Sequence, residues 1–406
     1  LGKVVQNITI NKPSPPAPLP KPDPRKSASV EQIAVLEING VKYDDWETIM
    51  VRHAEEEGPF YTFRFTCSEG MPLANNFAKL QIRPGDVCQV TLAGQEAVNG
   101  WVSTRQVFYD SQRHYVEIQG ASNVQGLAYT SAITKTMEFK DVTFEKYARA
   151  LLKPTGINLL IRNGVLPQIK FPRISIAHGM SIMEALEIPL RNLGHFAFTS
   201  NPQGDLVINA KGQGASSGAV FIEGKNIIEG REIIINVGAA RDYYSSGQRT
   251  GNDKTNGSNS ARVHSDDTQG VDAKFDDYSP SLAVPDMPVD KQMVNNRSKL
   301  DLDMMKQDQV TVFVTVWGWL QPNGQLWKQG YPYTVKSPML LMTGSEKLNA
   351  KSVTFTQDNA RGTRTQLELC NDAAWYPHVP AKGQGGKGVG GDEDAAAALI
   401  EGGGTP

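Results

Sequence analysis

Two stretches of the chain echo each other, opened by Gly85 and Gly330, 245 positions apart (330 − 85 = 245). The first runs Gly85-Asp-Val-Cys-Gln-Val, then Gly100-Trp-Val, then Val107-Phe-Tyr-Asp and Tyr115-Val-Glu-Ile. The second runs Gly330-Tyr-Pro-Tyr-Thr-Val, then Gly344, then Val353-Thr-Phe-Thr-Gln-Asp and Gln366-Leu-Glu-Leu. In each, a turn glycine opens a strand, a second glycine follows, and a strand–loop–strand hairpin closes the unit. A chain that folds one small β-unit twice can set two near-equivalent surfaces side by side. That suits a ring-forming or symmetry-adapting structural protein better than an enzyme. Alternating strands and turn glycines recur in many β proteins, so the echo taken alone leaves chance similarity open.

The 406 residues suffice for two to four domains. The 38 glycines and 24 prolines favour loops and β-structure over helical bundles. A formal net charge of −2 speaks against a high-affinity nucleic-acid binder, which needs a basic field, but not against a surface that nucleic acid merely passes. No apolar run approaches the roughly 20 residues that span a bilayer, so no stable membrane insertion is expected. Nothing at the start reads as a secretory leader. Cys67, Cys88 and Cys370 are odd in number and far apart, which predicts reduced, mostly strand-borne thiols and leaves an intermolecular bridge open.

Along the chain, residues 1–30 combine a short β-like piece (Val4 to Ile10) with a proline-rich run that reads as an extended arm. Residues 31–125 are β-rich, with the Asn39-Gly40 hairpin signal and the Pro84-Gly85-Asp86 turn. Thr143 stands as an N-cap before the helical spacing Phe144, Tyr147, Ala148, Leu151, Leu152, ended by Pro154-Thr-Gly. Ser181 and Glu184 form a capping-box pattern for a second helix that buries Ile182, Ala185 and Leu186, is kinked by Pro189 and stops near Gly194. With the following hairpin, 126–210 reads as an α/β insertion. Residues 245–270 lack apolar periodicity and read as a long exposed loop. A helix near 290–306 carries Met293, Arg297, Leu300 and Met304 on one side, and Val310, Val312, Val314 and Val316 line one face of a long strand. Residues 381–406 form a Gly/Ala-rich tail.

The candidates for chemistry all have structural explanations. His53, His114, His178, His195, His264 and His378 show no metal-binding spacing. Glu184 sits where a helix cap needs an acid. Cys67 and Cys88 lie on alternating strands without a nucleophile turn, and the acidic runs Asp44-Asp45 and Glu55-Glu56-Glu57 read as solvated loops. Trp317, Trp319, Trp327 and Tyr331 could stack on a base or sugar, but packing is the commoner use. No catalytic, cofactor-binding or metal-ligating residue is assigned.

The order of parts carries a resemblance. A β-unit with Pro84-Gly85-Asp86 and Gly100-Trp-Val leads to Ile118-Gln-Gly and Gly126-Leu-Ala-Tyr-Thr-Ser-Ala. After the insertion come Trp317-Gly-Trp, Gly324-x-Leu-Trp327-x-x-Gly330 and Gly362-Thr-Arg-Thr-Gln-Leu-Glu-Leu. Over roughly residues 33–376 this resembles the baseplate hub proteins of Mu-like contractile-tailed bacteriophages, relatives of the hub portions of type VI secretion spikes. The resemblance implies an α+β, predominantly β chain with two tube-type antiparallel β-barrels. The first would span 31–125, completed by about 211–230, and the second 231–380, with 126–210 inserted between. It further implies a homotrimer that adapts the sixfold tail tube to the threefold central spike and contacts other baseplate proteins. Genomic DNA would pass through the lumen without specific binding. The place would be the virion tail baseplate, assembled in the host bacterial cytoplasm. The rival readings are a cell-wall-degrading or glycan-binding tail module centred on 126–210, and a type VI-like spike hub.

Overall fold

The computed structural model describes residues 32–44, 46–54, 59–68, 82–110, 114–162, 166–194, 196–210, 218–235, 242–247, 263–264, 268–269, 280–284, 287 and 291–371. The terminal arm and tail, 1–30 and 381–406, lie outside them.

The first β-region holds β1 (Ala34–Ile38), β2 (Val41–Tyr43), β3 (Thr48–Ala54), β4 (Tyr61–Ser68), β5 (Val87–Leu92), β6 (Gln95–Tyr109) and β7 (His114–Ser122). β1 and β2 turn through Asn39 and Gly40, both left-handed (φ 50° and 80°), which is the turn that follows the twist of a two-residue hairpin. Period-two alternation decides which face is buried: on β5, Cys88, Val90 and Leu92 point inward while Val87 is exposed.

The insertion comprises α1 (Gly126–Tyr129), β8 (Glu138–Thr143), α2 (Phe144–Leu152), β9 (Leu159–Arg162), β10 (Lys170–Ser175), α3 (Ile182–Arg191), β11 (Phe196–Ser200) and β12 (Leu206–Ala210). Its two small sheets, β10–β8 and β11–β12–β9, share one apolar core with the helices. α2 buries Phe144, Tyr147, Ala148, Leu151 and Leu152, the spacing read from the sequence, and ends in a 3₁₀ turn at Lys153–Thr155 before left-handed Gly156. Thr143 occupies the N-cap position without a side-chain cap bond. α3 carries a complete capping box: Ser181 Oγ accepts from the Glu184 amide, and Glu184 accepts from the Ser181 amide at 2.8 Å.

The last region holds β13 (Val220–Ile222), β14 (Glu229–Ile234), β15 (Asp242–Gly247), β16 (Val263–His264), β17 (Thr268–Gln269), β18 (Pro280–Ala283), α4 (Lys291–Gln309), β19 (Val310–Trp317), β20 (Pro332–Ser337), β21 (Met342–Asp358) and β22 (Gly362–Asn371). Met293 and Val294 of α4 enter the core of the insertion, and Asn296 donates to the Leu193 carbonyl at 3.3 Å. The helix therefore braces the insertion and does not belong to the last β-region alone.

Two expectations are corrected. Residues 245–270 are not wholly loop: β15 pairs with β16, β17 and β18. These pieces are too short to show apolar alternation in the sequence. The described residues of 211–230 do not join the first β-region, because β13 pairs with β20 and β14 with β19. Separately, no closed barrel is found among the described residues. Both β-regions merge into one 13-stranded sheet, ordered β14-β19-β22-β21-β3-β4-β7-β6-β5-β1-β2, with β20 on β21 and β13 on β20. One continuous apolar core runs under both regions. The predominantly β character with an α/β insertion stands.

Candidate assembly interface

The two echoing stretches fold alike. Strands β3-β4-β7-β6-β5 and strands β14-β19-β22-β21-β20 form five-strand units in the same order. In the first, left-handed Gly85 (φ 95°) donates its N–H to the Val102 carbonyl at 2.8 Å, and the Val102 N–H returns to the Asp86 carbonyl at 2.9 Å. In the second, left-handed Gly330 (φ 74°) donates to the Ala350 carbonyl at 2.8 Å, and the Ala350 N–H returns to the Tyr331 carbonyl at 3.0 Å. Directly after these residues, both long strands carry a bulge against the next strand, between Val102 and Thr104 and between Ala350 and Ser352. A bulge inserts one unpaired residue and bends its strand, so a shared bulge position is a shared bend. The second glycines do not correspond: by register, Gly100 matches Leu348, not Gly344.

The two cores exchange volume at one matched pair. In the first unit Phe63 lies opposite Gly120, where a Cβ would come within 2.3 Å of the Phe63 ring. In the second, Val312 lies opposite Leu369, both fully buried. A large residue over glycine in one unit and two medium residues in the other fill the same space, as a close-packed interior requires. Both matched pairs lie 249 positions apart (312 − 63 = 369 − 120 = 249).

The units are joined through β21. Its first half pairs with β20, and its second half, Ser352–Asp358, pairs antiparallel with β3, Ala54–Thr48. This internal seam is dry: Val353, Phe355 and Val51 are fully buried. His53 sits in it, stacked on Tyr61 (centroids 3.6 Å) and edge-on to Phe355 (5.5 Å). Burial lowers the imidazole pKa to about 3, partly opposed by a backbone hydrogen bond with Ala97, so the ring is neutral at pH 7. Neighbouring Ser352 donates to the buried Glu368 carboxylate at 2.9 Å.

The edge strand of the second unit is dressed differently. β14 matches β3 by register, yet its inward face carries Gly230, Glu232 and Ile234 where β3 carries Ile49, Val51 and His53. An open recess of about 350 Å³ lies here, lined by Glu232, Val310, Met342, Glu346 and Leu348 among others. Partial burial, then the charge of Glu346, raises the Glu232 carboxyl pKa.

Several of the other residues singled out for chemistry are held structurally. Cys88 and Cys370 are buried, and burial followed by the Asp86 charge pushes the Cys88 thiol up to about 12. Glu184 is held ionised by its bonds to Ser181. Trp319 and Trp327 are core residues, Trp319 donating to the Thr356 carbonyl at 3.2 Å and Trp327 stacking on Phe221 (5.1 Å). Half-exposed Trp317 lies under the Arg364 guanidinium, and Lys328 over Tyr331. The Gly324–Gly330 motif buries Leu326 and Trp327 between two left-handed glycines. His195, His378, Asp45 and Glu55–Glu57 lie outside the described residues. No metal-holding cluster of His, Cys, Asp or Glu occurs among the described residues. Of the seam residues, the sequence marks His53 only as one of six histidines without metal-binding spacing and Val353 and Phe355 only as part of the echo, and Val51 is not singled out.

Comparison with known proteins points to the same resemblance. Residues 33–122 match a family model described as Mu phage baseplate assembly protein GpP-like, N-terminal, and residues 125–210 match one described as baseplate hub protein gp44-like, second domain. The chain is 21% identical to the baseplate hub protein gp44 of Escherichia phage Mu, over 90% of this chain and 94% of that protein. Its fold is similar to the 43 kDa tail protein of prophage MuSo2 from Shewanella oneidensis, with TM-score 0.69 and 20% identity over 84% and 99% of the two chains. A tail protein from Neisseria meningitidis follows at TM-score 0.67 and 17% identity, covering 84% and 97%. A type VI secretion component of Escherichia coli reaches TM-score 0.51 at 10% identity, covering 82% and 76%. The resemblance to baseplate hub proteins of Mu-like phages is thus borne out.

Proposed function

From this likeness to Mu-like baseplate hub proteins, we infer that the chain is a structural hub that works as a homotrimer, adapting a sixfold tail tube to a threefold central spike. The observation that carries the reading is the duplicated unit: same strand order, same glycine-to-long-strand hydrogen bonds, same bulge. Three copies would offer six such units, so each tube subunit above would meet a near-equivalent surface. Closure of the units into tube-type barrels would be completed in that assembly. The ring would surround a channel crossed by genomic DNA, and a chain with net charge −2 would let phosphates pass without holding them. The chain would reside in the virion baseplate after assembly in the host cytoplasm. No catalytic role is proposed, since the carboxylate at the best-formed helix start, Glu184, is committed to its cap.

Mass measurement in solution, followed by image averaging of the purified chain with tube protein, tests this. Three copies with six similar lobes are expected. A chain that stays monomeric alone and with tube and spike proteins would overturn the reading.

A further inference from the structure

The internal seam is a template. β21 holds β3 along its second half, and by the matched bulges that half, Ser352–Asp358, corresponds to positions 104–110, the outer half of β6 and the residue after it. Yet among the described residues the outer half of β6, Thr104–Phe108, has β7 on one side and no strand on the other. β14, the counterpart of β3, likewise has β19 on one side and no strand on the other among the described residues. Each edge is therefore half of a seam whose complete form already exists inside the chain.

The surfaces agree with that placement. Exposed large apolar residues gather at both edges: Val107 (44% exposed) and Phe108 (42%) on β6, Ile234 (58%) and Ile235 (47%) at the end of β14. Such edges normally invite pairing. We propose that the outer half of β6 receives β14 of a second copy of this chain as an antiparallel neighbour, in the register of the internal seam. Transferring Phe355↔Val51 through the two matched units sets Val107 opposite Glu232 of the neighbouring copy, Arg105 opposite its Ile234 and Phe108 opposite its Arg231. Arg105 and Glu232 then share one face as diagonal neighbours of opposite charge, and Val107 lies diagonal to Ile234 as Phe355 lies to His53. The contact is head-to-tail: each copy contributes one β6 edge and one β14 edge, so successive copies can close a ring. This deepens the hub reading and rests on it for the ring, but the seam itself is a separate claim.

The test uses the full chain carrying Val107→Cys together with Glu232→Cys, treated with a short thiol cross-linker, with the unsubstituted chain as the control for the native cysteines. A ladder ending at a closed ring of three supports the seam. A chain with Phe108→Cys and Glu232→Cys, on opposite faces, should cross-link at least tenfold less. Reversing Arg105→Glu should weaken association about tenfold or more, and Glu232→Arg in the same chain should restore it. Near-ultraviolet circular dichroism of each variant checks that the fold is intact. Association with full strength but no 107–232 cross-link would overturn the seam and leave the hub reading standing. A monomer under every condition would overturn both.

Discussion

The inner edge β3 and the outer edge β14 hold the same place in two matching units, yet one is a finished core and the other is open. β3 presents Ile49, Val51 and His53 to β21, and every one of these side chains is buried. β14 presents Gly230, Glu232 and Ile234, with Ile234 more than half exposed. Backbone hydrogen bonding and bulges set the frame, so the frame is shared. Side chains then decide whether an edge is sealed within the chain or left for something else. An unpaired charge at the Val51 position would be costly in this sealed seam, whereas Glu232 is only partly buried at its edge.

The comparison breaks hardest at the matched core pair. Leu369→Ala should cost about 2–5 kcal/mol in denaturant unfolding, because it empties a fully buried position. Gly120→Ala should cost about 1–3 kcal/mol through overpacking against Phe63. Adding Phe63→Val to Gly120→Ala should recover part of that loss, not all, since the Trp101 carbonyl also lies 2.4 Å from the added Cβ. Full recovery, or none, would mean the two units are not packed on the same plan.

A second test separates the sealed edge from the open one by pH. His53 is neutral when folded down to about pH 3, while the unfolded chain takes up its proton near the ordinary value of 6.5. The unfolded state therefore binds more protons between these values, and stability falls as pH drops from about 6.5 toward 3. The slope contributed is up to about 1.4 kcal/mol per pH unit. His53→Phe should flatten this part of the profile measured by thermal unfolding from pH 7 to pH 5. An unchanged slope would show that His53 is not sealed in the seam.

The smallest expected effect lies away from both edges. Ser181→Ala should lower stability by about 1 kcal/mol by removing the cap that accepts from the Glu184 amide. It should leave association of copies unchanged, because the insertion has a core of its own. Loss of association in this variant would place the insertion in the interface.

The sequence alone determined the local pieces, because each depends on near neighbours. The Asn39-Gly40 turn, the Ser181–Glu184 cap, the burial stripe of α2 and the turn glycines Gly85 and Gly330 were all legible as patterns of a few residues. The echo was legible too, but it matched Gly100 to Gly344, because the connection before the long strand is longer in the second unit. It runs from Ser337 to Met342 through a 3₁₀ turn, against Leu92 to Gln95 in the first, and a change of loop length leaves no mark on the strand pattern. The short strands β15–β18 escaped for a related reason: pieces of two to six residues with polar sides show no period. Only the tertiary structure decided that both units share one sheet, that β3 seals against β21, and that β6 and β14 are left with open sides among the described residues. Strand partners far apart in sequence are chosen by side-chain fit across a bent sheet, and that fit exists only once the chain has folded.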